Sequence, residues 1–305
     1  MSVGRADLRL VFGREPAAVS RTGYLTAWAR ALSRLSDPAE VANEDDLARH
    51  FLLPHYRVLN RVPRLTRRLL DSRAPGAVAY FNARTKHLDG IVREEIAAGL
   101  EQLVVLGAGF DSRAMRFDHR LGNARVFEVD LPDVLDVKRK HLAAADVRVP
   151  SRLTHVAVDF AKDDLAEKLA DAGFALAGRT LVLWEGVTYY LADDDVSAVL
   201  RFASERTGAG TVLAFDYTTK AFLDGDHSAY GARKLADGWK KLGNVHRSGI
   251  ASVSERLAAF GFEVVDDIDA VELERRYLTP RTGRARRPWG VFRIARARKS
   301  VTPRT

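Results

Sequence analysis

The chain of 305 residues contains no cysteine. Disulfide bonds, thiolate metal ligands and a cysteine nucleophile are therefore excluded. No apolar run approaches ~18 residues, so we expect no transmembrane span and no contact with a membrane. The first basic residues are not followed by the apolar segment of roughly 7–15 residues that a signal peptide requires. We therefore expect a cytoplasmic protein.

Acidic residues are missing from the end of the chain. No acid follows Glu274, whereas ten arginines and one lysine do. Of the 48 basic residues, 37 precede that stretch, against 40 acids, so the formal net charge of +8 arises in the C-terminal segment. Such a segment binds an anionic partner or forms the solvated face of a strand. Arg275, Arg276 and residues 281–287 are candidates for holding an anionic acceptor.

Nucleic acid is the weaker choice of anionic partner. Only Tyr277, Trp289 and Phe292 accompany the basic residues as aromatic platforms on which bases could stack. We expect a small-molecule acceptor instead, and the sequence leaves the oligomeric state open.

The organisation of the chain follows from its prolines and its hydrophobic pattern. Apolar residues make up 47% and charged residues 29%, as in globular proteins. Residues 1–75 have helical periodicity broken by prolines, and we predict a helical cap there. Residues 76–298 are predicted to form the main domain, with an insertion at 217–249, and 299–305 a basic tail.

Short apolar runs alternate with helical segments through the main domain. Alternation of this kind predicts an α/β fold with a mostly parallel sheet covered on both faces. The final two strands are expected to pair in antiparallel fashion. The predicted strands are 103–107, 125–130, 154–158, 180–184, 211–216, 262–268 and 289–297, and the predicted helices include 84–99, 112–119, 132–145, 161–172 and 193–206.

The stretch Leu-Val-Val-Leu-Gly-Ala-Gly-Phe-Asp-Ser-Arg at 103–113 is the strongest motif. A strand ends there in a glycine turn, and the next strand ends in Asp130. Units of this type bind a nucleoside cofactor, since glycines admit the ligand and the acid receives ribose hydroxyls. Ser112 replaces the third glycine of a dinucleotide fingerprint, and Asp111 is unfavourable beside a pyrophosphate. The pattern favours S-adenosylmethionine over NAD, and a glycine turn that binds nothing stays open.

Carboxylates recur where the predicted strands end. They are Asp130, Asp159, Glu185 and Asp216. Because the carboxyl ends of parallel strands meet at one edge, these acids should lie together, where hydroxyl, amino or sulfonium groups would use them. Helix capping is the alternative for each of them. No histidine accompanies them, so we expect no metal.

At this point the sequence resembles the leucine carboxyl methyltransferase family, whose bacterial branch includes polyketide O-methyltransferases. The resemblance covers residues 20 to 295 and rests on five ordered motifs. They are Arg84-Thr85 with Leu88-Asp89, residues 105–113, Phe127-Glu-Val-Asp-Leu-Pro132 with Lys138, Asp159, and Glu185-Gly-Val-Thr-Tyr-Tyr-Leu191. The family implies a class I methyltransferase fold, with a Rossmann-like seven-stranded sheet, an antiparallel last strand and an N-terminal helical cap.

The resemblance also implies roles for individual residues toward S-adenosylmethionine. Arg84 would bind the methionine carboxylate and Glu185 would face the methionine amino group. Gly107, in a turn shared with Gly109, would pass under the methionyl part, and Asp130 would take the ribose hydroxyls. Asp159 and Phe160 would frame adenine, although the family often has leucine where Phe160 stands.

The expected activity is O-methylation of a carboxylate or hydroxyl on a small molecule of secondary-metabolite type. A carboxylate is already ionised, whereas a hydroxyl needs a base. Tyr189, Tyr217 and His227 are the candidates on the acceptor side, with Tyr190, Asp216 and His246 as further ones. Thr188-Tyr189 departs from the family pattern and leaves the acceptor open.

Two other classes of function compete with this expectation. A nicotinamide-dependent oxidoreductase would share the glycine turn, but Ser112 argues against it. A non-catalytic nucleoside- or RNA-binding module would be free to lose Arg84, Asp130 and Glu185, which are all present.

Overall fold

A computed structural model describes residues 21–160, 162–242 and 247–300. Seven strands form one sheet in the order β3-β2-β1-β4-β5-β7-β6. Only β7 runs against its two neighbours, β5 and β6, so the predicted α/β fold with an antiparallel last strand is confirmed. The strands are β1 Gln102–Leu106, β2 Arg125–Asp130, β3 Leu153–Ala157, β4 Thr180–Trp184, β5 Val212–Thr218, β6 Phe262–Ile268 and β7 Phe292–Lys299.

The centre of the sheet is where the strand order reverses. β1 pairs with β2 on one side and with β4 on the other, both in parallel. Every residue of β1 and β4 is buried, as the unbroken apolar runs predict for strands covered on both faces. Ligands of open α/β sheets bind beyond the strand ends at this switch point.

Helices cover both faces of the sheet. One apolar core includes residues of α4 and α10, and the other includes residues of α7 and α8. The α-helices are α1 Arg21–Ser36, α2 Pro54–Leu59, α3 Pro63–Arg73, α4 Ala77–Ala97, α5 Arg113–Arg116, α6 Pro132–Ala144, α7 Leu165–Asp171, α8 Asp193–Glu205, α9 Lys220–Leu223, α10 Ala232–Leu242, α11 Val253–Ala258 and α12 Ala270–Leu273.

The N-terminal helices form a third core against the glycine turn. Trp28 of α1 stacks on Tyr56 of α2, with ring centroids 4.4 Å apart. Phe51, in a 3₁₀ turn between these helices, stacks on Phe110 at 4.8 Å. The described part of the segment 1–75 is therefore helical and packs directly on the turn at 107–112. The proposed division of the chain into cap and main domain stays a prediction.

Several element boundaries differ from the sequence predictions. Helix α4 begins at Ala77 rather than at 84, because Gly76, at φ 91°, permits the turn that precedes it. Helix α5 ends at Arg116 rather than at 119. Strand β5 continues to Thr218, so Asp216 and Tyr217 lie within a strand and not at the start of an insertion. Among the helices that the structure describes, none combines the length and apolar character needed to cross a membrane.

Candidate active site

A pocket of about 450 Å³ opens at the carboxyl ends of β1, β2 and β4. Its inner wall is formed by the glycine turn and the strand-end carboxylates. Its outer wall is formed by α1, the segment after β4 and Arg247. The lining residues are Thr22, Gly23, Thr26, Arg30, Arg84, Val105, Gly107, Ala108, Gly109, Phe110, Asp111, Asp130, Leu131, Val134, Asp159, Phe160, Glu185, Gly186, Val187, Tyr189, Tyr190, Leu191, Asp195 and Arg247.

The glycine turn needs glycine for two reasons. Gly107 has a φ of 64° and Gly109 a φ of 40°, a region that L side chains rarely adopt. A Cβ on Gly107 would also stand 2.3 Å from Cγ2 of Val187, which approaches from the segment after β4. The turn therefore stays narrow, and main-chain groups rather than side chains face the pocket at this point.

Asp130 fixes that turn through its carboxylate. Its Oδ2 accepts the Gly109 N–H at 2.7 Å, and its Oδ1 accepts the Leu131 N–H at 2.8 Å. Burial raises the pKa of this carboxyl above its ordinary value, although the two N–H donors oppose the rise. Each carboxylate oxygen retains acceptor capacity for a ligand hydroxyl.

The structure brings all seven predicted cofactor-binding residues to one pocket. Asp159 and Phe160, which follow β3, line it together with residues of the glycine turn, Asp130, Arg84 and Glu185. The Asp159 carboxylate also accepts a hydrogen bond from Nζ of Lys162 at 2.7 Å. The seven residues therefore lie together around one cavity, and the role of each residue toward a ligand stays a prediction.

Arg84 is held by protein carboxylates deep in this wall. Its Nε lies 2.9 Å from Glu185 Oε1, and its Nη1 lies 2.6 Å from Asp216 Oδ2. Asp216 also accepts hydrogen bonds from the Tyr80 hydroxyl at 2.8 Å and the Gly186 N–H at 2.5 Å. The sequence treated Asp216 as a strand-end acceptor for ligands, whereas the structure uses it to anchor Arg84.

Arg113 is a residue of the site that the sequence reasoning missed. Its Nη1 lies 2.7 Å from Glu185 Oε2 and also bonds to Asp111, and its Nε lies 2.7 Å from Asp89 Oδ1. Burial alone would raise the pKa of Glu185, but the charges of Arg113 and Arg84 outweigh burial and lower it to about 2. The arginine at the end of the glycine motif was the available signal, because clustered acids require cations.

The same network joins the cap to the pocket. Arg30 of α1 donates to the Phe110 carbonyl at 2.7 Å and pairs with Asp45 at 2.8 Å. Asp45 in turn accepts the Ser112 hydroxyl at 2.7 Å. Ser112, which departs from the dinucleotide fingerprint, thus provides one of the contacts between the glycine turn and the cap.

The outer wall has a different chemistry. Burial, and then the negative charge of Asp216, raises the pKa of Tyr189 well above its usual range. Burial raises the pKa of Tyr190 to about 12. Arg247 is exposed, its N–H donates to the Tyr189 carbonyl at 3.0 Å, and no carboxylate of the described residues pairs with its guanidinium.

Two of the three predicted acceptor-side residues do not line this pocket. Tyr217 donates its hydroxyl to Asp267 Oδ1 at 3.0 Å, and burial followed by that acid raises its pKa. His227 packs on Phe222, with ring centroids 5.5 Å apart. Tyr217 alternates to the other face because β5 runs on through it, and His227 belongs to the loop after α9. His246 lies outside the described residues.

The C-terminal arginines are likewise placed away from the pocket. Arg275 and Arg276 pair with Glu272, and Arg293 pairs with Asp267. Residues 281–287 do not line the cavity either, and Arg286 lies 3.4 Å from Asp37. The structure therefore places these arginines outside the pocket, and Arg293 alone of them lies on a strand, β7.

Comparison with known proteins agrees with this geometry. The model of the family described as leucine carboxyl methyltransferase matches residues 23–204. A Parafrankia protein named "Putative S-adenosyl-L-methionine-dependent methyltransferase" is 33% identical over 217 residues, which cover 70% of this chain and 69% of that protein. A Mycobacterium tuberculosis H37Rv protein with a name of the same kind is 41% identical over 114 residues, 37% of each chain.

Solved structures share the fold at low sequence identity. A DUF574-family protein from Streptomyces avermitilis superposes with a TM-score of 0.59 at 16% identity, covering 92% of this chain and 98% of its own. A protein from Thermobifida fusca superposes with a TM-score of 0.55 at 17% identity, covering 90% and 94%.

Proposed function

The chain belongs to the leucine carboxyl methyltransferase family and is an S-adenosylmethionine-dependent methyltransferase, and from that premise we propose that it methylates a carboxylate oxygen of a small molecule. The observation that carries this proposal is the chemistry of the outer wall. It presents an exposed arginine, two neutral tyrosines and the half-buried Asp195, and no histidine among the described residues that line it.

The inner wall suits the cofactor by its set of donors and acceptors. Asp130 offers a carboxylate for paired ribose hydroxyls, and the main chain of the glycine turn allows close approach. Phe160 supplies an apolar surface for adenine, and Glu185 supplies negative charge for an ammonium group. A volume of about 450 Å³ is within the range of small-molecule sites, roughly 300–1,000 Å³.

S-adenosylmethionine, when bound, supplies a methyl group activated by its positively charged sulfur. The acceptor oxygen forms the new bond to the methyl carbon while the carbon–sulfur bond breaks and its electron pair stays on sulfur. The protein's part is to hold the two reactants in line and to exclude water from between them. The buried rings of Tyr189 and Phe110 and the side chain of Leu191 supply the water-excluding walls.

The tyrosines favour an acceptor that needs no base. With pKa values raised by burial, Tyr189 and Tyr190 remain protonated near neutral pH, so they can donate hydrogen bonds but cannot abstract a proton. An alcohol acceptor would require such a base, whereas a carboxylate arrives ionised. Tyr189, one of the candidates on the acceptor side, is therefore a positioning group in this proposal.

Arg247 would recognise the acceptor's negative charge. Its guanidinium is exposed at the pocket, its main chain is tied to Tyr189, and no acid of the described residues neutralises it. A guanidinium and a carboxylate form a charge-assisted and frequently bidentate pair. Such a pair would orient one carboxylate of the acceptor, and the acceptor class is accordingly a small organic acid.

The earlier alternatives have less support. A pyrophosphate cofactor would meet the carboxylates of Asp111 and Glu185 at the glycine turn. An RNA-binding role would need the C-terminal arginines free, whereas Arg293 and Arg296 pair with acids of this chain.

The test is the chemical nature of the product. The purified protein is incubated with S-adenosylmethionine carrying a labelled methyl group and with matched pairs of small acids and their alcohol counterparts. A methyl ester releases volatile labelled methanol in mild alkali, whereas a methyl ether does not. We expect base-labile label from acids only. Base-stable label from the alcohols would overturn the carboxylate proposal and leave the methyltransferase activity intact.

A further inference from the structure

A band of aliphatic side chains lies exposed on the second and third helices of the cap. Val58, Val62, Leu65 and Leu69 are 56%, 51%, 65% and 43% exposed. Val62, at the N-cap of α3, Leu65 and Leu69 follow one another at intervals of three and four residues along one face of α3, and Val58 lies on α2 just before them. Four large aliphatic side chains in solvent over twelve residues form a patch that a globular surface rarely leaves uncovered.

An arginine stands immediately before each of these aliphatic residues. Arg57, Arg61, Arg64 and Arg68 repeat with the same spacing and are exposed. None of them forms an ion pair with a carboxylate of the described residues. We call these four arginines and the four aliphatic residues that follow them the basic–aliphatic band.

Negative charge is almost absent from this part of the cap. The only acid between residues 53 and 75 is Asp71, whose carboxylate pairs with the buried Arg67 at 2.9 Å. Arg67 also bonds to Asp37 at 2.9 Å, so it faces inward and its charge is satisfied. The outward arginines therefore make a positive field that no acid of these helices cancels.

A basic recess adjoins the band. It has a volume of about 430 Å³, and Arg57 belongs both to it and to the band. Arg49, His50 and His141 also line it, beside the aliphatic Leu35, and none of the described residues that line it is a carboxylate. Burial lowers the pKa of His50 and of His141, so the arginines supply the positive charge at neutral pH. The size and charge of this recess suit a single anionic headgroup.

We propose that the basic–aliphatic band docks on an anionic lipid surface. The exposed aliphatic side chains of α2 and α3 enter the boundary between headgroups and acyl chains, and the adjacent arginines extend to lipid phosphates. The band contains no aromatic residue or methionine of the kind that anchors protein–protein interfaces, which argues against an acidic protein as the occupant. A second copy of this chain is disfavoured because two such bands would repel each other.

This inference goes beyond the methyl transfer proposed above and does not depend on it. It also departs from the expectation of no membrane contact. That expectation rested on the absence of a long apolar run, which excludes a spanning segment but not a helix lying in the surface.

Vesicle flotation with the full chain tests the proposal. The protein is mixed with vesicles of phosphatidylcholine alone, or with vesicles in which phosphatidylserine replaces about a third of it, a charge density that attracts polybasic surfaces. We expect binding only to the anionic vesicles. R61Q/R64Q/R68Q should weaken partitioning roughly a hundredfold, because each of the three arginines contributes roughly fivefold near such a surface. L65Q/L69Q should also weaken partitioning, by roughly tenfold or more.

A charge-matched variant separates docking from the general attraction of a basic protein. R148Q/R201Q/R233Q removes three exposed arginines outside the band and should retain binding within a fewfold. Equal loss in this control, or full binding by L65Q/L69Q, would overturn the proposal in favour of nonspecific adsorption. Absence of wild-type binding to anionic vesicles would also overturn it and would direct attention to an acidic protein partner.

Discussion

The two walls of the pocket differ in how their charges are satisfied. On the inner wall Arg84, Arg113, Glu185 and Asp216 neutralise one another inside the protein. On the outer wall Arg247 is exposed and has no carboxylate partner among the described residues, and the tyrosines beside it are neutral. The difference teaches that the charges of the inner wall are balanced within the protein, whereas under the proposal above the charge of Arg247 would be balanced by the acceptor.

The largest effect should come from breaking the inner network. Arg84→Leu would leave the buried carboxylate of Asp216 without its cation, and we expect a loss of roughly 3–5 kcal/mol in the free energy of unfolding. Urea titration measures this value. Arg275→Leu is the control, because it removes an exposed partner of Glu272 and should change the free energy of unfolding far less than Arg84→Leu does. Equal losses of stability in both variants would contradict the expectation that the buried ion pairs matter more for stability than the exposed one.

The pH dependence of stability should sharpen the same comparison. The pKa of Glu185 falls from an ordinary 4.5 to about 2 in the folded protein. A carboxyl whose pKa is lowered by folding stabilises the folded protein at pH values above its pKa in the unfolded chain. This stability is lost as the pH falls from about 4.5 toward 2. The contribution is about 3 kcal/mol.

Glu185→Gln isolates that contribution. The variant should be less stable than the wild type near neutral pH, and its free energy of unfolding should fall less steeply as pH drops below about 4.5. Asp45 and Glu128 are also buried carboxyls with lowered pKa values, and they contribute equally to the pH dependence of stability in the variant and in the wild type. Parallel curves for the two proteins would contradict the assignment to Glu185.

The smallest of these effects belongs to the outer wall. Arg247→Gln should raise the acceptor KM about tenfold, since a hydrogen bond to a charged group contributes about 1.5 kcal/mol or more. The affinity for S-adenosylmethionine should stay within a factor of about two of the wild-type value. The free energy of unfolding should change by no more than about 0.5 kcal/mol. Arg233→Gln removes an exposed arginine of α10 outside the pocket and serves as the matched control. A fall in kcat with unchanged KM would contradict a role in acceptor binding.

The sequence predicted the strands and the inner wall well because both follow local rules. Buried parallel strands appear as short apolar runs, and the acid after each run must lie at the carboxyl edge. Asp130 was identified by this rule, and Gly107 by the glycine motif that follows the first strand. The start of α4 was missed because Gly76, eight residues before the predicted start, supplies the turn by its conformation rather than by a helix signal.

Side-chain partners could not be predicted in the same way. Arg113 and Asp89 are 24 residues apart, and their ion pair exists only because α4 packs beside the glycine turn. Tyr217 looked available because it follows Asp216, but one residue along a strand reverses the face on which a side chain lies. The position of Arg247 at the pocket has no signal in the sequence, where it is one of many arginines.

The most direct test of the account is titration calorimetry with S-adenosylmethionine and S-adenosylhomocysteine. We expect the wild-type protein to bind both ligands, and Asp130→Asn to weaken each by about tenfold to a hundredfold through loss of charged hydrogen bonds to ribose. Asp133→Asn, an exposed acid three residues on, should bind as the wild type does. Equal affinity of the Asp130 variant and the wild type, or no binding of either ligand by the wild type, would contradict the assignment of the inner wall to the cofactor.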